Sequence, residues 1–338
     1  MDIFVETQFG GYPIRLERGG LSRAASFLSL SRRCMVVTDE NIPKEYVDTL
    51  LAQCGEGHLF VIHPGEDSKS LASFEAILER MLKKGFTRSD CVVALGGGVV
   101  GDLAGFAASA YLRGVDFYNV PTTVLSQVDS SIGGKVAVNF CGLKNMVGAF
   151  YPPKAVLIDP ETLKSLPARQ IAAGLAESVK MAMTFDEEFF SLMEKIDPME
   201  KIDLVIEKSL LAKKKVVEED EREGGLRKVL NFGHTLAHAI ESEGFRQGLE
   251  IYHGESVALG MIPMCSEAAK ERLLPVLKRI GLPTRIPFAS ESLLEAMVHD
   301  KKMSGDSITL IRVDRVGSYR MEKIPFSRFA EEVKGWKE

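Results

Sequence analysis

The sequence has no apolar run that could cross a membrane. Its longest apolar region, around Val92–Leu112, is broken by Asp102 and by several glycines, whereas a spanning helix needs about 20 consecutive apolar residues. It also has no surplus of positive charge. A formal net charge of −5 excludes a general binder of nucleic acid or of anionic membrane surfaces, while leaving room for a local basic pocket. Cysteine is sparse: Cys34, Cys54, Cys91, Cys141 and Cys265 are odd in number and widely spaced, and no CxxC pair suggests a structural zinc site. They read as reduced, mostly buried thiols of a cytoplasmic protein. The opening stretch, MDIFVETQFGGYPIRLERG, has an early acid and no long apolar core, so it is not expected to be a signal peptide. Internal repeats, low-complexity tracts and long linkers are also lacking.

What is there is an ordinary globular composition, 45% hydrophobic and 26% charged over 338 residues, long enough for about two domains with a core each. The central stretch runs from Cys91 to Tyr151. An apolar β-type run, Cys91–Leu95, breaks into Gly96, Gly97 and Gly98 before a helical run begins near Val99. Glycines at such a strand–turn–helix junction let the backbone approach a bulky anion, and the helix start aims unpaired N–H groups at the same place. A phosphate or pyrophosphate is the natural occupant. A packing turn in an α/β sheet is the plainer reading of the glycines alone, but the stretch continues with Asp129, Lys135, Lys144 and Asn145 among small residues. A segment that only packs has little use for them; one that holds phosphates and hydroxyls does.

Residues 2–17 alternate and pivot on Gly10-Gly11, which predicts a β-hairpin. CMVVTD, HLFVIHPG, CVVALGGG and VDFYNVPT then alternate with helical runs, the pattern of a parallel sheet flanked by helices. Ligands of such sheets bind beyond the strand ends. Asp39 and Asn41 lie there after CMVVTD, and Glu66 and Lys69 after VIHPG. Near Asp159-Pro160-Glu161 the pattern turns helical and stays so to about Ala269, with a small hairpin expected from SITLIRV and YRMEKI. The expected domains are thus 1–159, α/β and dinucleotide-binding, and 160–338, mainly α-helical. The charged run EEDEREGG (218–225) reads as a solvated loop.

The second region carries a possible metal site. His234 and His238 are four apart on a helical pattern and share a face, and His253 opens the next helix. Glu177 and Lys180, three apart in GLAESVK, share a face of an earlier helix. One Glu with two His makes an open zinc site, but spacing alone does not choose between the histidines. Lys213 lies in AKKKVVEE, and Arg227 and Asn231, four apart, lead straight into the His helix and are expected to face one cleft.

Taken together, ALGGGVVGDLAGF, VPTTVLSQVDSSIGGK and KNMVGAFYPP resemble the signature blocks of the 3-dehydroquinate synthase family, and further blocks in the family's order reach the Asp300-Lys301-Lys302 cluster. The resemblance implies an α/β NAD-binding domain, a helical domain, and a metal between them: zinc, for which cobalt could substitute. It implies metal ligands Glu177, His234 and His253. It implies NAD contacts from Asp39, Asn41, Glu66, Lys69, Gly97, Gly98, Asp102, Thr122, Thr123, Leu125 and Lys144. Substrate contacts would come from Asp129, Lys135, Asn145, Lys180, Lys213, Arg227, Asn231, His238 and one of Lys301 and Lys302. Arg113 would reach a partner's site, which implies a homodimer.

The implied substrate is a sugar-acid phosphate, 3-deoxy-D-arabino-heptulosonate 7-phosphate, converted to 3-dehydroquinate and phosphate in the second step of the shikimate pathway. The implied route is transient oxidation by NAD, elimination of phosphate, reduction, and an intramolecular aldol closure, with His238 as a candidate proton relay. Ser165 stands where relatives often carry Thr, and Ala237 replaces a frequent Gly. The alternatives are another sugar-phosphate cyclase, an NAD- and metal-dependent polyol-phosphate dehydrogenase, or a non-catalytic NAD-binding scaffold. Retention of Arg227, Asn231 and His238 favours the carboxylate-bearing substrate; the blocks around Lys135 and Lys144-Asn145 speak against the dehydrogenase.

Overall fold

The computed structural model describes residues 1–8, 10–301 and 307–335, with backbone alone at 298–301, and divides into two compact units, Met1–Pro167 and Ala168–Glu338. Lys302, and the side chain of Lys301, lie outside the described residues. No helix among them is long and apolar enough to cross a membrane.

In the first unit, β1 (Asp2–Val5) and β2 (Tyr12–Leu16) form the antiparallel hairpin expected around Gly10-Gly11. There follow β3 (Arg33–Asp39), α1 (Lys44–Leu51), β4 (Glu56–Ile62), α2 (Leu71–Lys83), β5 (Cys91–Gly96), α3 (Gly98–Ala110) and β6 (Asp116–Pro121). After β7 (Lys135–Phe140) and β8 (Leu143–Phe150), which form a two-stranded sheet of their own, β9 (Ala155–Ile158) returns to the main sheet. Among the described residues that sheet has seven strands in the order β1-β2-β9-β6-β5-β3-β4, parallel except for β1 against β2.

Burial explains the strand sequences. β5 is buried along its whole length and β3 along all but its ends, and the sheet separates two apolar clusters, so these central strands read as near-continuous apolar runs rather than as alternations. Met35, Val37, Val92 and Ala94 pack toward α2 and α3, while Cys34, Val36, Cys91 and Val93 pack toward α1 and the turn at Gly20–Ser26. At about 1.5–3 kcal/mol for each large apolar side chain fully removed from water, these layers hold the unit together. β4 lies on one side of β3 and β5 on the other. This is the point where the direction of winding reverses and where open α/β sheets leave a crevice at their strand ends.

The turn Pro160–Ser165 closes the first unit. There the buried Asp159 carboxylate accepts the N–H groups of Gly19, Leu21 and Glu161, binding this turn to the residues that follow β2.

The second unit comprises α4 (Ala168–Phe185), α5 (Glu187–Met193), α6 (Ile202–Glu219), α7 (His234–Arg246), α8 (His253–Met261), α9 (Glu267–Ile280), α10 (Ser290–Lys301), the antiparallel pair β10 (Ser307–Arg312) and β11 (Arg320–Pro325), and α11 (Phe326–Lys334). Two glycines set how closely its helices approach. A Cβ on Gly254 of α8 would stand 1.8 Å from the carbonyl oxygen of Ala173 on α4, and one on Gly260 would stand 2.0 Å from that of Gly233, just before α7. These backbones therefore meet where no side chain fits.

The run 218–225 is more structured than the solvated loop expected from its charge. It closes α6 and then turns back, with the Asp220 carboxylate accepting the N–H groups of Gly224, Gly225 and Arg227. Three backbone donors converging on one carboxylate hold a glycine turn that composition alone makes look loose.

Candidate metal centre and dinucleotide turn

The close approach of α4, α7 and α8 brings three side chains together. Glu177 from α4, His234 at the first residue of α7 and His253 at the first residue of α8 each offer a ligand atom, and these atoms lie within 4.8 Å of one another. Glu177 Oε1 is 3.7 Å from His234 Nε2 and 3.5 Å from His253 Nε2. Glu177 is 1% exposed and both its carboxylate oxygens lack a hydrogen-bond partner, although the Lys180 ammonium forms an ion pair with Oε2. A buried carboxylate left in that state is costly unless something else binds it.

Each histidine turns its other ring nitrogen to an acceptor: His253 Nδ1 lies 2.6 Å from Glu241 Oε1, and His234 Nδ1 lies 3.3 Å from the carbonyl oxygen of Phe232. Both Nε2 atoms are thereby left facing Glu177. One carboxylate and two imidazoles so disposed fit zinc or cobalt with positions left for substrate oxygens.

Charge in this cluster is strongly redistributed. Burial and the Lys180 ammonium push the His234 imidazole down to about 3. Burial works against protonated His253, but the neighbouring carboxylates of Glu177 and Glu241 outweigh it and raise that group to about 9. For Glu177 burial alone would favour the neutral acid; Lys180 and the two histidines prevail and hold it well below the usual carboxylate range.

The other predicted residues of this unit are distributed around that cluster. His238, one turn along α7, is exposed, with its ring 6.0 Å from that of His234; the ring of His253 is closer, at 5.1 Å. Lys180, Lys213 and Arg227 are buried cations. Arg227 donates from Nη1 to the carbonyl oxygen of Glu221, and exposed Asn231 donates from its amide to Glu223 Oε1. Both thus lean on the turn after α6. Sequence reasoning passed over Glu223 and Glu241. Glu241 follows His234 and His238 at seven and three positions, so all three share a helix face, a spacing legible in HTLAHAIE.

The first unit gathers a second set. Gly97 is extended and caps α3, whose N–H groups open onto the turn. A Cβ on Gly97 would lie 3.1 Å from Thr123 Cγ2, and one on Gly98 3.2 Å from Ser130 Oγ, so side chains there would fill the cradle. Thr122 Oγ1 is buried without a partner, while Thr123 Oγ1 is paired to Ser126 Oγ at 2.8 Å. Leu125 and Asp129 are half-buried along the π-type turn that begins here. A glycine cradle at a helix start, beside an orphaned hydroxyl, fits a dinucleotide pyrophosphate.

Lys69, 5% exposed, donates to Asp102 Oδ2 and Asn145 Oδ1, both at 2.5 Å. The structure therefore places Asn145 beside two of the expected cofactor residues. Asn139, unnoticed in the sequence, joins this group: its N–H donates to the Lys69 carbonyl, its amide to Glu66 Oε1, and its own oxygen accepts the N–H of Asn145. Asn145 has φ +58°, a left-handed conformation that asparagine tolerates. Asp39 ends β3 and accepts the N–H of exposed Asn41; burial raises its carboxyl. Lys135 and Lys144 are exposed on the β7–β8 pair. Arg113 is exposed too, with φ +69°, next to Leu112 at φ +49°.

Comparison with known proteins agrees with this arrangement. The model of the 3-dehydroquinate synthase N-terminal family matches residues 59–173, and that of the 3-dehydroquinate synthase C-terminal family matches residues 174–303. A 3-dehydroquinate synthase of Streptococcus sanguinis is 41% identical over 346 aligned positions, covering 96% of this chain and 97% of the relative. Among solved structures, a 2-deoxy-scyllo-inosose synthase complexed with carbaglucose-6-phosphate, NAD+ and Co2+ superposes with a TM-score of 0.88 at 26% identity, covering 99% of both chains. A 2-epi-5-epi-valiolone synthase from Streptomyces hygroscopicus with NAD+ and Zn2+ bound gives 0.86 at 28% identity, covering 95% of both.

Proposed function

The chain belongs to the 3-dehydroquinate synthase family, and we propose that it carries out that family's reaction, in which 3-deoxy-D-arabino-heptulosonate 7-phosphate becomes 3-dehydroquinate and inorganic phosphate. The observation that carries this reading is the 41% identity along 96% of the chain, against 26% and 28% for cyclases of the same fold that act in other syntheses.

Glu177, His234 and His253 would hold the metal, zinc or cobalt; the buried Glu177 carboxylate, whose Oε1 faces both Nε2 atoms, and the two outward-anchored imidazoles support that assignment. When bound, such a metal polarises substrate oxygens and makes an alcohol more acidic. NAD would rest on the Gly97–Gly98 turn, with Asp39, Asn41, Glu66, Lys69, Asp102, Thr122, Thr123, Leu125 and Lys144 around it, and it supplies a reversible hydride acceptor.

The chain's own side chains do the rest. Lys180, Lys213 and Arg227 bring fixed positive charge to a substrate that carries a phosphate and a carboxylate; all three are buried, so little water screens them. Asp129, Lys135, Asn145 and Asn231 would bind and orient hydroxyls and phosphate, and exposed His238 would move a proton. Arg113 would serve a second copy's site, making the enzyme a homodimer; its left-handed backbone beside Leu112, a strain of the kind found at functional loops, supports this. The free thiols of Cys34, Cys54, Cys91, Cys141 and Cys265 support a cytoplasmic setting.

The test supplies the protein with zinc, a trace of NAD+ and the heptulosonate phosphate while phosphate and absorbance at 340 nm are followed together. Phosphate released far beyond the NAD+ present, with flat absorbance, is expected. Rising absorbance without phosphate would mean a net dehydrogenase instead. Sedoheptulose 7-phosphate turned over in preference would move the chain among the other cyclases.

A further inference from the structure

We propose that Glu241 is the positioning residue of the metal centre, fixing the ring plane and the proton of His253 so that Nε2 is presented as a free donor. This rests on the reading of Glu177, His234 and His253 as the metal site.

The two histidines need different help. His234 begins α7 with its Nδ1 3.3 Å from the Phe232 carbonyl, an acceptor built into the backbone two residues earlier. At His253, which begins α8, a side chain from another helix takes that part. The backbone at that point is held by Arg169, whose guanidinium grips both oxygens of Glu255 at 2.7 and 2.8 Å and stacks over Tyr252 at 4.4 Å, while Glu255 accepts the Tyr252 N–H. None of those contacts touches the His253 ring. Its Nδ1 goes to Glu241 Oε1 at 2.6 Å, a short bond to a carboxylate whose side chain is only 11% exposed.

A bond to a carboxylate is about twice as strong as one between neutral partners, and a carboxylate on the far nitrogen of a ligating imidazole sets its tautomer and strengthens it as a donor. Glu241 stands on the His234 face of α7, two turns on. One helix therefore supplies the first imidazole and orients the second, and Gly260, packed against Gly233, keeps α8 at the distance this requires.

The test compares the full-length protein with Glu241→Ala and Glu241→Gln. Zinc affinity is measured by competition with a chromophoric chelator, the cobalt-loaded forms by visible absorption, and folding by circular dichroism and by NAD binding. Glu241→Ala should bind zinc about 10- to 100-fold more weakly and shift the cobalt bands, with NAD affinity unchanged. Glu241→Gln, whose amide oxygen still accepts from Nδ1 but carries no charge, should recover part of the loss and remain roughly threefold or more below the parent. Should the alanine variant not fold, the glutamine variant decides by the same two readouts. Parent-like zinc affinity and cobalt bands in a folded variant would overturn the assignment to Glu241 alone. If the parent itself took up no zinc, the metal reading would fall and this inference with it.

Discussion

Glu177 Oε1 lies 3.5 Å from His253 Nε2, a contact between two helices whose backbones meet at Gly254 and Ala173. In the metal-free protein His253 keeps its proton up to about pH 9, because Glu177 and Glu241 outweigh the effect of burial. A metal must displace that proton to reach Nε2. Zinc affinity measured with a pH-insensitive competitor should therefore rise by about tenfold per pH unit across neutral pH and level off near 9. A flat profile between 6 and 8 would mean His253 is already neutral there.

The same groups set how metal-free stability depends on pH. His253, raised to about 9 from an ordinary 6.5, contributes stability that is complete below about 6.5 and lost as pH rises through 9. His234, lowered to about 3, has the opposite sign, and its penalty grows as pH falls below 6.5. Glu177, held low, contributes above its ordinary 4.5 and loses that contribution as pH falls further. So far as this cluster decides, thermal melts of chelator-treated protein should peak near pH 6.5, and zinc should shift the optimum upward. Identical pH profiles with and without zinc would separate the cluster from stability.

Replacing His234 by alanine should abolish stoichiometric zinc, read by elemental analysis, while circular dichroism stays native. Full metal content in that variant would remove His234 from the ligand set.

Gly254→Ala places a methyl group 1.8 Å from the Ala173 carbonyl oxygen. Overpacking of this kind costs about 1–3 kcal/mol, and here relief requires α8 to move off α4, which parts His253 from Glu177. The melting temperature and zinc affinity should fall together. A stability loss with unchanged zinc affinity would show that the helices move without opening the site.

Lys69 donates to both Asp102 and Asn145, so Lys69→Met removes the cation that ties the loop after β4 to α3 and β8. Hydrogen bonds to charged groups are worth about 1.5–3 kcal/mol, and NAD binding by titration calorimetry should weaken by at least tenfold. If substrate binding fell and NAD binding did not, Lys69 would belong with the substrate residues.

Should Arg113 serve a neighbouring copy, mixed dimers of Arg113→Ala and Lys135→Ala chains should regain activity that neither homodimer has. Heterodimers demonstrated by mass spectrometry but lacking that rescue would count against it.

Much of this was readable along the chain because it depends on neighbours in sequence. The runs through Met35–Val37 and Val92–Leu95 need only a two-sided apolar environment to become central strands, and Gly96–Gly98 needs only a following helix to form its turn. Other relations have no local signal. The pairing of β7 with β8, the binding of Asn139 to Glu66 and Asn145, and the gathering of Gly224, Gly225 and Arg227 onto Asp220 join polar or glycine-containing stretches whose composition suggests loops.

The histidines mark the boundary most clearly. By itself the sequence determined that His234 and His238 share a face, since 3.6 residues per turn require it. Spacing left the third ring open, and the family resemblance implied His253; the tertiary structure shows His253, from another helix, standing with His234 before Glu177, and it alone reveals that Glu241 holds it. The reason is one of range. Helical and strand periods act over a few residues, whereas the placing of α8 depends on two backbone approaches, Gly254 to Ala173 and Gly260 to Gly233, and no local pattern announces which distant carbonyl a glycine will meet.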